Sequence, residues 1–265
     1  MGYFIFNGTD SRKFGVTAEM AFPPVAERTM TTTEIPGRSE PLNRLEVMRK
    51  NSKLAFTVSI LDLSRLTEIN AWLQGKGDLI LSSDLTKKYH AYVNQGITPE
   101  RLAKLYCNIP IVFTVEPFRY SVYNPFEETE LTLNDSKLSR RTNIYVNGTA
   151  DCEPLFYLRF AGVLYISVNG DTLKLETPFT YRIEDGKYIY DYECQEIYID
   201  SAAKLAYIIT VNDEKKVVTN QTSGRFPVLH HDDNEIILAL SADGEDKKSN
   251  HRLEKFSYQK NERWY

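Results

Sequence analysis

The sequence predicts a mainly β protein with a single helix, divided into two domains. Three observations carry this. Tyrosine (17) and phenylalanine (13) are abundant beside many Thr, Val and Ile, the residues that pack well on a pleated surface. Helical spacing of apolar residues stands out at one place, near residues 62–74. From Asn143 onward, turn signals recur every 10 to 25 residues between short apolar runs. Hydrophobic content of 42% and charge of 26% are ordinary for a folded chain, and 265 residues leave room for one or two domains of about 100–200 residues.

Residues 3–6 and 14–20 read as short strands. The stretch Phe22 to Glu34 is broken by prolines and rich in threonine (Thr29, Thr31, Thr32, Thr33), which suits a strand or an arm. Pro36-Gly37 then forces a turn, because proline fixes φ and glycine accepts a positive one. Lys53 to Leu61 is mostly apolar between polar residues and reads as a buried strand. The helix follows: Asp62 is placed to cap it, Leu63, Leu66, Ile69, Trp72 and Leu73 share a face, and Gly75 sits just past its end. Gly77 to Ser83 and Lys88 to Gly96 form a hairpin around Ser83-Asp84, and Asn108 to Val115 makes a strand ended by Pro117.

Near Tyr123 the character changes. Pro125, the acidic run Glu127-Glu128-Thr129-Glu130 and the polar stretch from Asn134 to Arg141 read as a junction. Turns at Asn147-Gly148, Asn169-Gly170-Asp171, Glu184-Asp185-Gly186, Asn212-Asp213 and Asp243 to Asp246 then separate strands without a convincing helix. The expected division is a strand-rich domain over 1–135 and an antiparallel β-sandwich over 140–265. Limited proteolysis is expected to cut first between about 123 and 143.

Several function classes are excluded or weakened. No run reaches the roughly 18 apolar residues of a membrane span, and the N-terminus has no basic region before a long apolar core. Cys107, Cys152 and Cys194 are odd in number and far apart, which fits reduced thiols made in cytoplasm better than a zinc site or a disulfide scaffold. Residues 1–120 carry 15 Lys+Arg against 12 Asp+Glu and the remainder 17 against 24, and neither part has the basic stripe of a specific nucleic-acid binder. No catalytic motif is present, so no enzyme activity, catalytic residue or cofactor is expected. His230-His231-Asp232-Asp233 has metal-ligand chemistry, but neighbours in an extended chain point to opposite faces, so a solvated turn is expected there and no metal. Tyr188, Tyr190 and Tyr192 lie at period 2 and would line one strand face. That row is either a platform for stacking sugar rings or part of a core or protein contact.

Three islands in the first domain carry a resemblance: Ile35 to Leu42 around Pro36-Gly37-Arg38, the helix end Trp72-Leu73, and Pro117-Phe118-Arg119-Tyr120. With Phe14-Gly15-Val16 and the hairpin from Gly77-Asp78-Leu79 to Ala91-Tyr92-Val93, their order is similar to that in the distal tail (Dit) proteins of siphophages, long-tailed phages with non-contractile tails. Asn147-Gly148 with Glu153-Pro154-Leu155, Ile197 to Asp200, Gly224 to Leu229, Asn234 before Ile236 and Arg263-Trp264 extend it over nearly the whole chain. The sequence departs from the pattern at His230 to Asp233, where the family has a Pro-Gly turn.

The resemblance implies a structural virion protein: a homo-hexameric ring hub at the distal end of the tail, formed by the N-terminal domain, with a galectin-like C-terminal sandwich. Implied partners are the tail tube protein, the tail-tip or tail-associated protein and receptor-binding proteins. DNA would pass through the ring without specific binding, and the protein would sit in the virion tail tip after assembly in the host cytoplasm. The alternative is a carbohydrate-binding module acting in adsorption to the host surface. A ring needs two complementary patches per subunit. The stretch Phe22 to Leu42, with Thr31, Thr33, Pro36, Gly37 and Arg38, is the candidate for part of that contact, as an arm adding to a neighbour's sheet edge or as a surface hairpin within one subunit.

Overall fold

A computed structural model describes the chain except for Met1 and residues 20–25, 61–62, 94–99, 104–105, 130, 135–137 and 243–246. It forms two compact units, Met1–Tyr123 with Trp264–Tyr265, and Asn124–Arg263. Strands dominate both.

The first unit opens with β1 (Phe4–Phe6), β2 (Thr9–Asp10), a 3-10 turn over Ser11–Phe14 and β3 (Val16–Ala18). Next come β4 (Arg28–Thr33), β5 (Leu42–Arg49), β6 (Ser52–Ile60) and the helix α1 (Leu66–Leu73). The hairpin β7 (Gly75–Leu81) and β8 (Asp84–Val93), then β9 (Glu100–Ala103) and β10 (Tyr106–Ser121), complete it. Its main sheet has the order β2-β1-β7-β8-β10-β6-β3, and β9 also pairs with β10. β4 and β5 form a separate two-stranded sheet.

The helix lies where its spacing predicted. Ile69 and Leu73 are buried in one core with Phe4, Phe6, Val58, Leu79 and Phe113 from the sheet. Trp72 stacks on Phe4 at 5.5 Å, and its indole N–H donates to the Phe6 carbonyl at 3.0 Å. That satisfies the one polar atom of a large, half-buried side chain. Arg65 precedes the helix without a side-chain cap, while the expected cap, Asp62, lies outside the described residues.

Pro117 does not end its strand. β10 runs on to Ser121, because its ladder with β6 stops at Val115 and its register with β8 shifts between Val115 and Arg119. A missing N–H costs nothing at such an irregularity.

The second unit contains β11 (Glu127–Thr129), β12 (Ser139–Val146), β13 (Leu155–Ala161), β14 (Val163–Val168) and β15 (Asp171–Glu176). There follow β16 (Phe179–Glu184), β17 (Lys187–Tyr192), β18 (Gln195–Asp200), β19 (Leu205–Ile209) and β20 (Lys215–Val217). The last are β21 (Thr222–Gly224), β22 (Asp232–Leu240), β23 (Lys247–Ser249) and β24 (Arg252–Gln259). A six-stranded sheet, β11-β24-β13-β18-β19-β20, and a five-stranded sheet, β12-β22-β14-β15-β21, line a single core. Phe156, Leu158 and Phe256 enter it from one sheet, Ile144, Ile166 and Leu238 from the other. Two sheets sharing one apolar core make a sandwich. β16, β17 and β23 form a third, smaller sheet.

The stretch 124–135, read from sequence as the end of the first domain, groups with the second unit. The reason is pairing and burial: β11 adds to β24, and Leu131 and Leu133 enter the sandwich core. Glu127–Thr129 of the acidic run therefore form a strand rather than a linker, while Glu130 lies outside the described residues. The C-terminal Trp264 and Tyr265 return to the first unit, where Tyr265 lies against Phe118 at 5.6 Å and its ring sits 3.7 Å from the Arg49 guanidinium carbon.

Candidate functional sites: a threonine-rich hairpin and an aromatic ribbon

The first site is the β4–β5 hairpin. Thr31 pairs with Arg44 and Thr33 with Leu42, and the Thr32 hydroxyl donates to Asn43 Oδ1 at 2.9 Å. The turn is closed by Arg38 N–H on the Ile35 carbonyl at 3.1 Å, with Pro36 and Gly37 between them. Gly37 has φ of 87°, which an L side chain adopts only with strain, so glycine is required there. The predicted contact residues Thr31, Thr33, Pro36, Gly37 and Arg38 thus share one exposed hairpin. It is not a single extended arm, since the Thr-rich strand takes its hydrogen bonds from its own chain through β5. Residues 20–25, the start of the proposed arm, lie outside the described residues.

Burial distinguishes this hairpin from the rest of the unit. Met30, Ile35 and Leu42 are all exposed, and no described hairpin residue joins a hydrophobic core. Its base is held by polar bonds: Arg49 donates to the Ala26 carbonyl at 3.1 Å, and Lys50 N–H to Glu27 O at 3.0 Å. A two-stranded ribbon is at best marginally stable in water without a covering surface. Among the described residues β4 and β5 pair in a two-stranded sheet of their own.

The second site is the β16–β17 ribbon. Its register sets Phe179 opposite Tyr192, Tyr181 opposite Tyr190 and Ile183 opposite Tyr188, so all six side chains stand on one face. Ring centroids are 6.4 Å apart between Tyr188 and Tyr190, 6.1 Å between Tyr181 and Tyr190, and 5.4 Å between Phe179 and Tyr190. Tyr181 is 63% exposed and Tyr188 46%, and Tyr190 is half-buried. Tyr192 is only 4% exposed, which corrects its place in the proposed platform. It anchors the ribbon instead, packed with Ala161 and Val163 and 5.0 Å from the His251 ring. Asn250 clamps the same residue, accepting from Tyr192 N–H at 2.7 Å and donating to its carbonyl at 3.0 Å.

Phe179, Tyr181 and Ile183 were not singled out from the sequence. Their alternation in Phe-Thr-Tyr-Arg-Ile-Glu mirrors that of Tyr188 to Tyr192 across the Glu184-Asp185-Gly186 turn, and that symmetry was the available signal.

The histidine loop resolves into separate contacts. His230 Nδ1 lies 3.0 Å from Asp151, and His231 Nδ1 lies 2.6 Å from the Gly148 carbonyl. Buried Asn234 organises the turn, accepting from His230 N–H at 2.7 Å and donating to the His230 and Asp232 carbonyls. Among the described residues no group of three or more His, Cys, Asp or Glu side chains converges, and no helix is long and apolar enough to cross a membrane. Of the described cysteines, Cys194 is exposed and Cys152 is buried, with burial pushing the Cys152 thiol up to about 11.

No protein-family model and no curated protein matches the sequence. Among solved structures, the fold is similar to that of the Dit protein (gp 19.1) of phage SPP1, described as a paradigm of the hub adsorption apparatus in phages infecting Gram-positive bacteria. The superposition covers 100% of both chains, with a TM-score of 0.62 at 11% sequence identity. The two chains share a fold from end to end.

Proposed function

We propose that this chain is a structural component of a phage tail tip, a distal tail protein whose copies close into a six-membered ring through the first unit. The observation that carries this reading is the end-to-end fold match to a hub protein, across both units rather than a sandwich alone. The exposed β4–β5 hairpin is the candidate for part of the head-to-tail contact that a closing ring requires. The ring joins the tail tube on one side to tail-tip and host-recognition proteins on the other. It is a building block rather than a catalyst.

Local charge pairing supports a ring through which DNA passes. In the β7–β8–β10 region, Lys76 meets Glu116 at 2.7 Å, Lys88 meets Asp78 at 2.7 Å and Lys87 meets Asp84 at 3.0 Å. Cations already matched to carboxylates give little counterion-release affinity for phosphates.

Light scattering combined with negative-stain microscopy tests the proposal. Six-fold rings at high protein concentration are the expected result, and a monomer at every concentration sinks the ring.

A further inference from the structure

We infer that the second unit carries a binding site for a neutral oligosaccharide, built from the aromatic ribbon and a polar cleft at its root. The cleft has a volume of about 460 Å³ and lies between the end of β15, the start of β16 and the turn before β21. Phe179 belongs to both parts: it lines the cleft and stands in the aromatic row at 5.4 Å from Tyr190.

The chemistry of the two parts matches a sugar chain better than a peptide. A pyranose has an apolar face of C–H groups and a rim of hydroxyls that donate and accept. The row offers the flat faces of Phe179, Tyr181, Tyr188 and Tyr190, three of them with hydroxyls at the ring edge. The cleft offers Lys174, Glu176, Asn220, Gln221 and Ser223, side chains able to bond neighbouring hydroxyls from both sides. Gln221 Oε1 is screened from solvent and receives no hydrogen bond, so polar capacity is left over in the cleft wall. A peptide strand laid along β16 would find aromatic faces but would leave this polar cleft unfilled.

Charge narrows the ligand. Lys174 and Glu176 pair at 3.1 Å and cancel, so these two cleft residues add no net charge, while the pairing of β17 with β23 sets Lys247 beside Tyr188 at the far end of the row. An uncharged saccharide therefore fits the cleft better than an anionic one. The row is linear, along β17 from Tyr188 to Tyr190, which favours an extended chain over a single sugar.

The site is a property of the second unit and does not depend on ring formation. The intact chain is screened against immobilised neutral oligosaccharides of glucose, galactose and N-acetylglucosamine, followed by titration calorimetry on the ligand retained. At least one should bind at about 1 mM or tighter, and Tyr181→Ala and Tyr190→Ala should each weaken it by about tenfold. Asn220→Ala should weaken it too; Tyr181→Ala and Asn220→Ala should keep the wild-type unfolding temperature and oligomeric state, while Tyr190→Ala, whose ring packs against the Tyr192 cluster, should also lower the unfolding temperature. Failure of every oligosaccharide to bind at that concentration overturns the site, as does binding untouched by both Tyr181→Ala and Asn220→Ala. If Tyr181→Ala instead abolishes self-association while the sugars never bind, the face is a contact between copies of the chain.

Discussion

The two exposed ribbons of this molecule solve opposite problems with the same backbone. The β4–β5 hairpin is threonine-rich, its described side chains join no hydrophobic core, and it ends on a glycine-dependent turn, so the contact proposed for it is one of backbone more than of side chains. The β16–β17 ribbon is rooted in a core through Tyr192 and presents a row of rings, so it offers side chains. A contact made by backbone hydrogen bonds tolerates wide sequence change, which suits repeated copies. A contact made by aromatic faces at fixed spacing selects the chemistry of its ligand.

Removing the first ribbon gives the largest effect. Replacing residues 28–49 by a short Gly/Ser linker should abolish assembly while leaving a folded monomer, measured by light scattering and circular dichroism. Both strands must go together, because excising only the turn and β4 would leave β5 without its partner. A deletion that instead unfolds the first unit would show that the hairpin belongs to its core, and the contrast with the second ribbon would fail.

Tyr192→Ala attacks the anchored ribbon at its root. Loss of a buried aromatic side chain should cost roughly 3 kcal/mol or more, seen as a lower transition in calorimetry. The same change at exposed Met30 should stay within about 0.5 kcal/mol. Equal effects at the two positions would erase the distinction between a rooted and an unrooted ribbon.

Gly37→Ala tests the turn at φ of 87°. An L residue there should cost about 1 kcal/mol, read as weaker amide-exchange protection of Thr31 and Thr33 and a lower ring yield. Unchanged protection would mean that the turn is held by something other than its glycine.

The smallest effect separates loss of the sheet from loss of the hairpin. Burial raises the Asp78 carboxyl, but Lys88 and His90 outweigh it and hold it below 3.8. A depressed carboxyl adds stability that is present above its unfolded value and lost as pH falls through the folded one. Acidification below about pH 4 should therefore weaken the first unit. Asp78→Asn should remove that part of the slope, by less than about 1 kcal/mol because the pair is partly exposed. An identical acid slope in the variant would rule out the Asp78 pair as its source.

How far the sequence could be read depended on how local the cause was. The helix was legible because Leu66, Ile69, Trp72 and Leu73 repeat at helical spacing, and its apolar stripe needed a sheet to cover it. The Ile35–Arg38 turn was legible because Pro-Gly chemistry acts within four residues. Pro117 misled, because tolerance of proline depends on where the ladders to β6 and β8 break, and those strands lie far away in the chain. The acidic run misled too, since its pairing with β24 joins residues more than a hundred positions apart.

The same division applies to the candidate sites. Alternation by itself put Tyr188, Tyr190 and Tyr192 on one strand face, a consequence of the two-residue period of any strand. Burial of that face is different, because it is set by whatever packs above it. Only the tertiary structure decided that Ala161, Val163 and His251 cover Tyr192 while Tyr188 stays open, and that Phe179 and Tyr181 complete the row. Composition and period determined a mainly β chain with a single amphipathic helix. Long-range pairing decided how the second ribbon is anchored and where a polar cleft meets an aromatic face.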